Sequence, residues 1–345
     1  MRETLRAILY ITAVITMASC AKQAESGPND ENKRFFDAWI MMNHPDAEPT
    51  ELGVYILPED VPGTGKEVKA DGYVLAEYII TDLDGKISSY TNKTTAKQLG
   101  EYDTTSYYGA KFLTTLKGNI TAGLADALIG MKVGGHRKFI IPSWLMSYKN
   151  YSTEKEYLDV SSSYANTIYD ITVRDFTEDI SGWQTDRIGE YFAANTDIFG
   201  TMTVKDTVKD QAGMYYKQLK APVSTEEFPD DTTIYINYTG KLLNGLVFDT
   251  TDERVAKDNG LYSSGKKYKP VQINWGESFS DITMGSGESS VIKGFALTLW
   301  QMKAMEKGIG VFLSDLGYGS SGSGSSIPGY TPLVFEIEIV AKPED

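Results

Sequence analysis

Residues 231–251 read DTTIYINYTGKLLNGLVFDTT, and this stretch decides the fold of the second half of the chain. Ile234, Ile236 and Tyr238 alternate with more polar neighbours, which is the two-residue period of a half-buried strand. The Asn244-Gly245 pair then interrupts the run as a turn does, and an apolar run restarts directly after it. The pattern predicts an antiparallel hairpin.

This hairpin ends with a large apolar ring followed at once by a carboxylate, Phe248-Asp249. If Phe248 faces the interior, Asp249 lies at the rim of the same pocket, where a charge without partners is costly. Tyr238 and Arg254 are the nearest candidate partners in the sequence. We therefore predict a pocket bounded by the ring and the carboxylate.

The length and the charge of the chain restrict its class. At 345 residues it is long for one domain and sufficient for two, with an ordinary hydrophobic content of 41%. The formal net charge is −14, and a nucleic-acid partner needs a basic face instead. We expect no nucleic-acid partner.

The sequence contains few of the residues that a metal site or nucleophilic catalysis requires. His44 and His136 are the only histidines, and they lie on different segments, so a histidine-based triad or zinc site has little to build from. Asp82 and Asp84 flank a turn, but the other oxygen ligands of a calcium loop are missing. We predict no metal and no cofactor.

An apolar run at residues 7–18 follows two arginines and ends just before Cys20, the only cysteine. The run is too short to span a bilayer and has the layout of an export signal. The segment resembles a bacterial lipoprotein signal, which implies that Cys20 is lipidated after residues 1–19 are removed. The alternative is a plain secretory signal. We expect residues 20–32 to be a flexible tether, and the protein to lie in the cell envelope, attached to the membrane only through the lipid.

The remainder of the chain contains a tandem duplication. Tyr78 corresponds to Tyr238 at an offset of 160 residues, and the turn at 83–85 corresponds to that at 243–245. After an expansion of eleven residues in the second copy, YANTIYDITV at 164–173 corresponds to YTPLVFEIEI at 330–339. Two copies are too few for a solenoid. We predict domains at 33–180 and 213–345, joined by a linker helix and spacer at 181–212.

A short helix is predicted before each copy. The helix at 31–42 is expected to pack against the domain that follows, and the helix at 188–194 to serve as a rigid spacer. The Gly/Ser run at 317–326 is predicted to be a mobile loop by its composition.

Five motifs, taken in order, resemble those of FK506-binding-protein (FKBP) type peptidyl-prolyl isomerases. They are YTG at 238–240, the G-x-x-F-D turn at 245–249 followed by Arg254, VIKGF at 291–295, DLGYG at 315–319 and LVFEIE at 333–338. The resemblance implies an α+β fold of two tandem FKBP-like domains. Each would be an antiparallel half-barrel sheet wrapped on one short helix.

The resemblance also implies the site residues of the second copy. Phe295 would form the floor under a proline ring, Asp249 would face the rotating carbonyl, and the Ile292 N–H and Tyr318 hydroxyl would hold substrate carbonyls. Val291 and Ile327 would contact the substrate, with Val271 and Ile273 as further wall, and Ser326 stands where the family has an apolar residue. The catalytic set would be Tyr238, Phe248, Asp249, Arg254, Ile292, Phe295, Tyr318 and Phe335.

The first copy lacks most of this set. The same offsets place Ser89 at the position of Asp249 and Leu124 at that of Phe295. Tyr148 can take the place of Tyr318 with a shift of one residue. The other replacements are Ser88, Thr94, Thr121 and Ser147, whereas Tyr78, Ile120 and Tyr169 are retained. We therefore predict that the first copy keeps the fold without the activity.

The leading interpretation is a peptidyl-prolyl cis-trans isomerase that acts on proline-containing unfolded or exported polypeptides at the bacterial envelope. Two alternatives stay open: a non-catalytic chaperone or binding module, and a structural or ligand-capturing lipoprotein that reuses the fold.

Overall fold

The structure, a computed structural model, describes residues 28–148, 151, 153–160 and 164–343. Within them the chain forms α-helices and antiparallel strands, which confirms the predicted α+β class. The helices are α1 (Pro28–Asn43), α2 (Lys93–Leu99), α3 (Ala122–Leu128), α4 (Glu154–Leu158), α5 (Ile180–Ala194), α6 (Thr196–Phe199), α7 (Glu253–Asp258) and α8 (Lys293–Trp300).

The strands form two separate sheets. Those of the first domain are β1 (Tyr55–Ile56), β2 (Tyr73–Thr81), β3 (Ile87–Tyr90), β4 (Lys111–Thr114), β5 (His136–Ile141) and β6 (Thr167–Thr177). Those of the second are β7 (Met214–Lys220), β8 (Thr233–Leu242), β9 (Val247–Thr250), β10 (Val271–Asn274), β11 (Thr283–Met284), β12 (Ser289–Ser290), β13 (Lys307–Phe312) and β14 (Leu333–Val340).

The second sheet is built around the predicted hairpin. Its order is β12-β11-β10-β8-β14-β13-β7, and β9 pairs with β8 beside this path. Gly240 lies opposite Asp249 in the hairpin and opposite Phe335 on the other edge of β8. The hairpin prediction is confirmed, and the register brings the end of β9 and the middle of β14 to the same part of the sheet.

The first sheet repeats this plan, with the order β1-β5-β6-β2-β3 and β4 paired to β2. Ser89 lies opposite Ile80, and Tyr169 lies opposite the same residue on the other edge, which is the register of the second sheet. The predicted duplication is therefore present in the strand pairing. The eleven-residue expansion falls between β10 and α8, where β11 and β12 are added.

One short helix is buried against each sheet. In α8 the six residues 294–299 are all buried, and a helix that is apolar on all sides is typical of a core position. A Cβ added at Gly294 would come within 2.3 Å of the Phe312 ring, so this glycine lets the helix approach β13. The counterpart α3 buries Gly123, Ala127 and Leu128.

A longer helix also covers each domain from outside: α1 does so as predicted, whereas α5, the expected spacer, packs on the second domain. Phe36 and Ile40 of α1 form a cluster with Leu57 and Ile140 of the first domain. The corresponding cluster under α5 includes Phe192 and residues of β7, β13 and β14. Both helices begin earlier than predicted, at residues 28 and 180, so residues 28–32 of the expected tether are helical. Among the described residues no helix is long and apolar enough to cross a membrane.

The Gly/Ser run at 317–326 differs from the expected mobile loop. It folds into turns: the Ser323 and Ile327 backbones pair with each other, and the Tyr330 N–H donates to the Gly319 carbonyl at 2.8 Å. The run also contacts the first domain, because the Tyr107 N–H donates to the Ser325 carbonyl at 2.9 Å. Hydrogen bonds within the run and from the first domain thus hold a segment whose Gly/Ser composition alone predicts a mobile loop.

Candidate active site

Nine side chains of the second domain enclose a cavity of about 190 Å³ between β8, β9, β14 and the start of α8. Eight of them are among the residues named from the sequence, and the ninth is Met284 of β11. The lining residues are Tyr238, Phe248, Asp249, Met284, Val291, Ile292, Phe295, Tyr318 and Phe335. We refer to this cavity as the cup.

The bottom of the cup is aromatic. Phe295 is only 2% exposed and meets Tyr238 and Phe335 edge to face, at centroid distances of 5.6 and 5.1 Å. Phe248 meets Phe335 in the same way at 5.5 Å. A Cβ at Gly240 would lie 2.6 Å from the Phe248 ring, so only glycine at this point of β8 allows the ring to lie where it does. The predicted floor and walls are therefore in contact with each other.

Asp249 has two side-chain partners. The Tyr238 hydroxyl donates to its Oδ2 at 2.5 Å, as the sequence predicted. Lys266 donates from Nζ to its Oδ1 at 2.6 Å. The prediction that Arg254 is the other partner is wrong. Its side chain is 91% exposed, and its Nε lies 3.8 Å from Oδ2 of Asp258, one helical turn along α7. Among the described residues, the carboxylate is thus positioned by one hydroxyl, one ammonium group and the Thr250 backbone N–H, which donates to Oδ1 at 2.9 Å.

The tyrosines of the cup are held in the neutral form. Burial raises the pKa of Tyr238, and the neighbouring Asp249 carboxylate raises it further. Burial and the same carboxylate also raise the pKa of Tyr318. Both hydroxyls therefore remain hydrogen-bond donors at neutral pH.

Two donors of the lining residues have no acceptor among the described residues. Ile292 precedes the first turn of α8, and its N–H makes no hydrogen bond within that part of the chain. The Tyr318 hydroxyl likewise has no hydrogen-bond partner there. These are the two groups for which the sequence predicted contacts to substrate carbonyls, and both are available for that role.

Two predicted wall residues, Val271 and Ile273, and one predicted substrate contact, Ile327, do not line the cup. Ile273 is fully buried in the core, and Val271 and Ile327 pack against or within the same core instead of lining the cavity. Met284 takes the place of this wall, since β11 runs beside β10. Met284 belongs to the expansion that the first copy lacks, and no feature of its sequence marks it as a pocket residue.

The corresponding position in the first domain is changed as predicted. Ser89 lies opposite Ile80 as Asp249 lies opposite Gly240, so a neutral hydroxyl replaces the carboxylate of the second domain. Leu124 lies where the floor ring would be, and Tyr148 lines the cavity there while Ser147 is buried. No group of three or more metal-binding side chains occurs in the described ranges. His136 instead pairs with Asp170 across two strands at 2.7 Å.

Comparison with known proteins agrees with this geometry. Residues 224–340 match the profile of the FKBP-type peptidyl-prolyl cis-trans isomerases. FK506-binding protein 1A of Aspergillus fumigatus is 31% identical over 125 residues, which are 36% of this chain and 90% of that protein. The chain belongs to the FKBP-type peptidyl-prolyl cis-trans isomerase family.

Other relatives cover different shares of the chain. A probable FKBP-type isomerase of Haemophilus influenzae is 30% identical over 136 residues, 39% of this chain and 45% of that protein, so less than half of the relative is spanned. The crystal structure of the three FKBP domains of wheat FKBP73 covers 86% of this chain and 97% of its own at 17% identity. Its TM-score is 0.29, a superposition too loose to define equivalent residues.

The profile match locates the family signature within the second sheet. All eight predicted catalytic positions fall inside residues 224–340, whereas the first FKBP-like sheet lies outside the matched range. Cys20, the predicted lipidation site, lies outside the residues that the structure describes.

Proposed function

We propose that the second domain catalyses cis-trans isomerisation of Xaa–Pro bonds in polypeptides. The observation that carries the proposal is the aromatic cup of about 190 Å³, which is closed below by Phe295. Two of its lining residues, Ile292 and Tyr318, have hydrogen-bond donors without an acceptor among the described residues. A small apolar cavity with a few polar groups at its wall suits a proline ring whose flanking carbonyls need hydrogen-bond donors.

The chemistry needs no nucleophile. An amide resists rotation by about 18–20 kcal/mol because its planar form has charge-separated resonance, which water stabilises. A dry cup disfavours that polar form relative to the twisted one. An acceleration of about ten-thousandfold requires only about 5.4 kcal/mol. Shape and a few hydrogen bonds are sufficient for a gain of this size.

Each group of the cup has a role in this scheme. The proline ring lies on Phe295 between Phe248 and Phe335, where water is excluded. The Ile292 N–H and Tyr318 hydroxyl bind carbonyls on either side. Asp249, fixed by Tyr238 and Lys266, faces the carbonyl that rotates and interacts with its changing dipole.

The two domains supply a matched pair of variants. Asp249→Ala in the full chain should lower kcat/KM for a proline peptide by about 30- to 150-fold, since a positioned polar group is worth about 2–3 kcal/mol in a transition state. Ser89→Ala changes the corresponding residue of the first domain and should leave the rate unaltered. A protease-coupled assay measures both. Equal losses in the two variants would contradict the asymmetry between the domains. A full chain that binds proline peptides without accelerating isomerisation would favour the non-catalytic alternative.

We also propose an envelope role with a lipid on Cys20. The support is the apolar run at 7–18, which ends just before the only cysteine. Cys20→Ser should release the protein from membranes after cell fractionation and leave its isomerase rate unchanged, because several acyl chains anchor where one gives marginal binding. If the variant still sediments with membranes after a high-salt wash, the anchor lies elsewhere.

A further inference from the structure

The first domain contains a larger cavity at the position that corresponds to the cup. Its volume is about 530 Å³ against about 190 Å³, and it is lined by Leu124, Thr121 and Tyr169 where the second domain has Phe295, Ile292 and Phe335. Ser320 and Tyr330 of the second domain complete one wall. A volume of this size lies in the range of ligand-binding pockets. Loss of the aromatic floor has therefore left space that the chain does not fill.

The cavity lies along the edge of β4. Three consecutive residues line it: Phe112, Leu113 and Thr114. Because successive side chains of a strand point to opposite faces, a run of three indicates that the backbone edge of the strand faces the cavity. Within the described part of the chain, β4 pairs only with β2. The Thr115 N–H donates to Gly72 of the chain before β2, so the alternation of an antiparallel pair directs the backbone groups of Phe112 and Thr114 outward.

The second domain shows what this edge can accept. There the corresponding strand, β10, pairs on the same side with β11, and Met284 lies opposite Ile273. The Gly285 N–H donates to the outward carbonyl of Gln272 at 2.9 Å, and Met284 extends into the cup. Residues 115–121 of the first domain form the shorter connection, and no described strand occupies the place of β11. The edge of β4 is thus a strand-acceptor position that the second copy fills from its own chain.

The cavity wall contains an unused polar group. Thr121 is 5% exposed, and its Oγ1 has no hydrogen-bond partner in the described residues. A buried hydroxyl without a partner is unfavourable, so a ligand that supplies one is stabilised. None of the described lining residues is charged. An occupant of this cavity is therefore uncharged, partly apolar and able to form hydrogen bonds.

We propose that the first domain binds an extended, uncharged segment of a polypeptide as an additional strand on β4. The segment's backbone pairs with Phe112 and Thr114, and a large apolar side chain opposite Leu113 enters the cavity, as Met284 does in the second domain. Main-chain hydrogen bonds then supply affinity and the cavity supplies selectivity. The site binds without catalysing isomerisation, because Ser89 and Leu124 replace the carboxylate and the floor ring.

The test uses the full chain and a fluorescent, blocked nonapeptide of alternating threonine and phenylalanine, without proline or charge. Fluorescence anisotropy should show saturable binding. Two forms of the probe, N-methylated on even or on odd residues, separate strand addition from simple apolar insertion. One form should lose at least about tenfold in affinity and the other should retain it, because only alternate N–H groups face β4. Equal affinity of both forms would overturn the proposal, as would no binding of the parent probe.

Variants then locate the site. Leu124→Phe should weaken the probe by about tenfold or more through steric conflict, and Thr121→Val by about two- to tenfold through loss of one hydrogen bond. Phe295→Leu, the reverse change in the cup, should lower isomerase activity without weakening the probe. Urea midpoints check that each variant is folded. The N-methylated probes are measured on the unmodified protein, so that part of the test does not depend on the folding of any variant. Weakening by Phe295→Leu alone would place the probe in the cup and refute the proposal.

Discussion

The hydrogen bond from Tyr238 to Asp249 makes a quantitative prediction for Tyr238→Phe. The hydroxyl lies 2.5 Å from Oδ2, and its raised pKa keeps it a donor. The substitution removes one oxygen atom and leaves the ring free to keep its edge-to-face contact with Phe295 at 5.6 Å. The variant therefore removes the positioning of the carboxylate without opening the floor of the cup.

The expected size of the effect follows from the surroundings of the carboxylate. A hydrogen bond to a charged group contributes about 1.5–3 kcal/mol. The Asp249 side chain is 41% exposed and keeps its ion pair with Lys266, so water replaces part of the lost interaction during folding. We expect a loss of stability below about 1.5 kcal/mol. The transition state should lose about 1.4–2.7 kcal/mol, a fall of about 10- to 100-fold in kcat/KM.

A protease-coupled proline-peptide assay and urea unfolding measure the two quantities separately. Tyr235→Phe is the matched control, because it removes a hydroxyl from the opposite face of the same strand and should change neither quantity by much. A kcat/KM of Tyr238→Phe within twofold of the parent would refute the positioning argument. A large loss of stability at unaltered activity would instead assign the hydroxyl to the core.

Three further predictions test the cup and its counterpart. Phe248→Ala should lower activity more than tenfold in the proline-peptide assay. Because the ring is half-buried, the loss of stability in urea unfolding should be smaller than the about 3–5 kcal/mol of a core aromatic. A loss of stability of that full size with unaltered activity would contradict this. Lys266→Met should lower kcat/KM by up to about fivefold, which corresponds to the contribution of an exposed ion pair, whereas Arg254→Met should have no effect. A larger loss in Arg254→Met than in Lys266→Met would show that the arginine, not the lysine, is the partner of the carboxylate. Burial raises the pKa of Tyr169 to about 12, so the unfolded chain loses its proton first, near pH 10. Tyr169 should thus contribute a fall of about 2.7 kcal/mol in stability between pH 10 and 12, beside the contributions of other buried tyrosines such as Tyr216 and Tyr238, whose pKa values are also raised. Tyr169→Phe should make the slope in urea titrations less steep by that amount; an unchanged slope would exclude the tyrosine.

The strands and the aromatic set could be read from the sequence because their signals are local. Period-two alternation around Ile236, the Asn244-Gly245 turn and the Phe248-Asp249 pair each involve neighbours along the chain, and the hairpin register follows from them. The duplication was equally visible, since homologous segments keep their order. Helix starts were less well predicted: α5 begins at Ile180, where a cap by Asp179 starts a helix despite Gly182.

The partners of the carboxylate and the walls of the cavities depended on the tertiary structure. Arg254 is five residues from Asp249, yet its position on α7 directs the side chain to solvent, while Lys266 returns from a loop seventeen residues away. Met284 reaches the cup only because an inserted strand pairs with β10. Sequence spacing fixes which residues share the face of one element, whereas the meeting of side chains from separate elements is decided by how those elements pack. For the same reason, the first copy's lost aromatic residues were evident in the sequence, but the open strand edge beside its enlarged cavity was not.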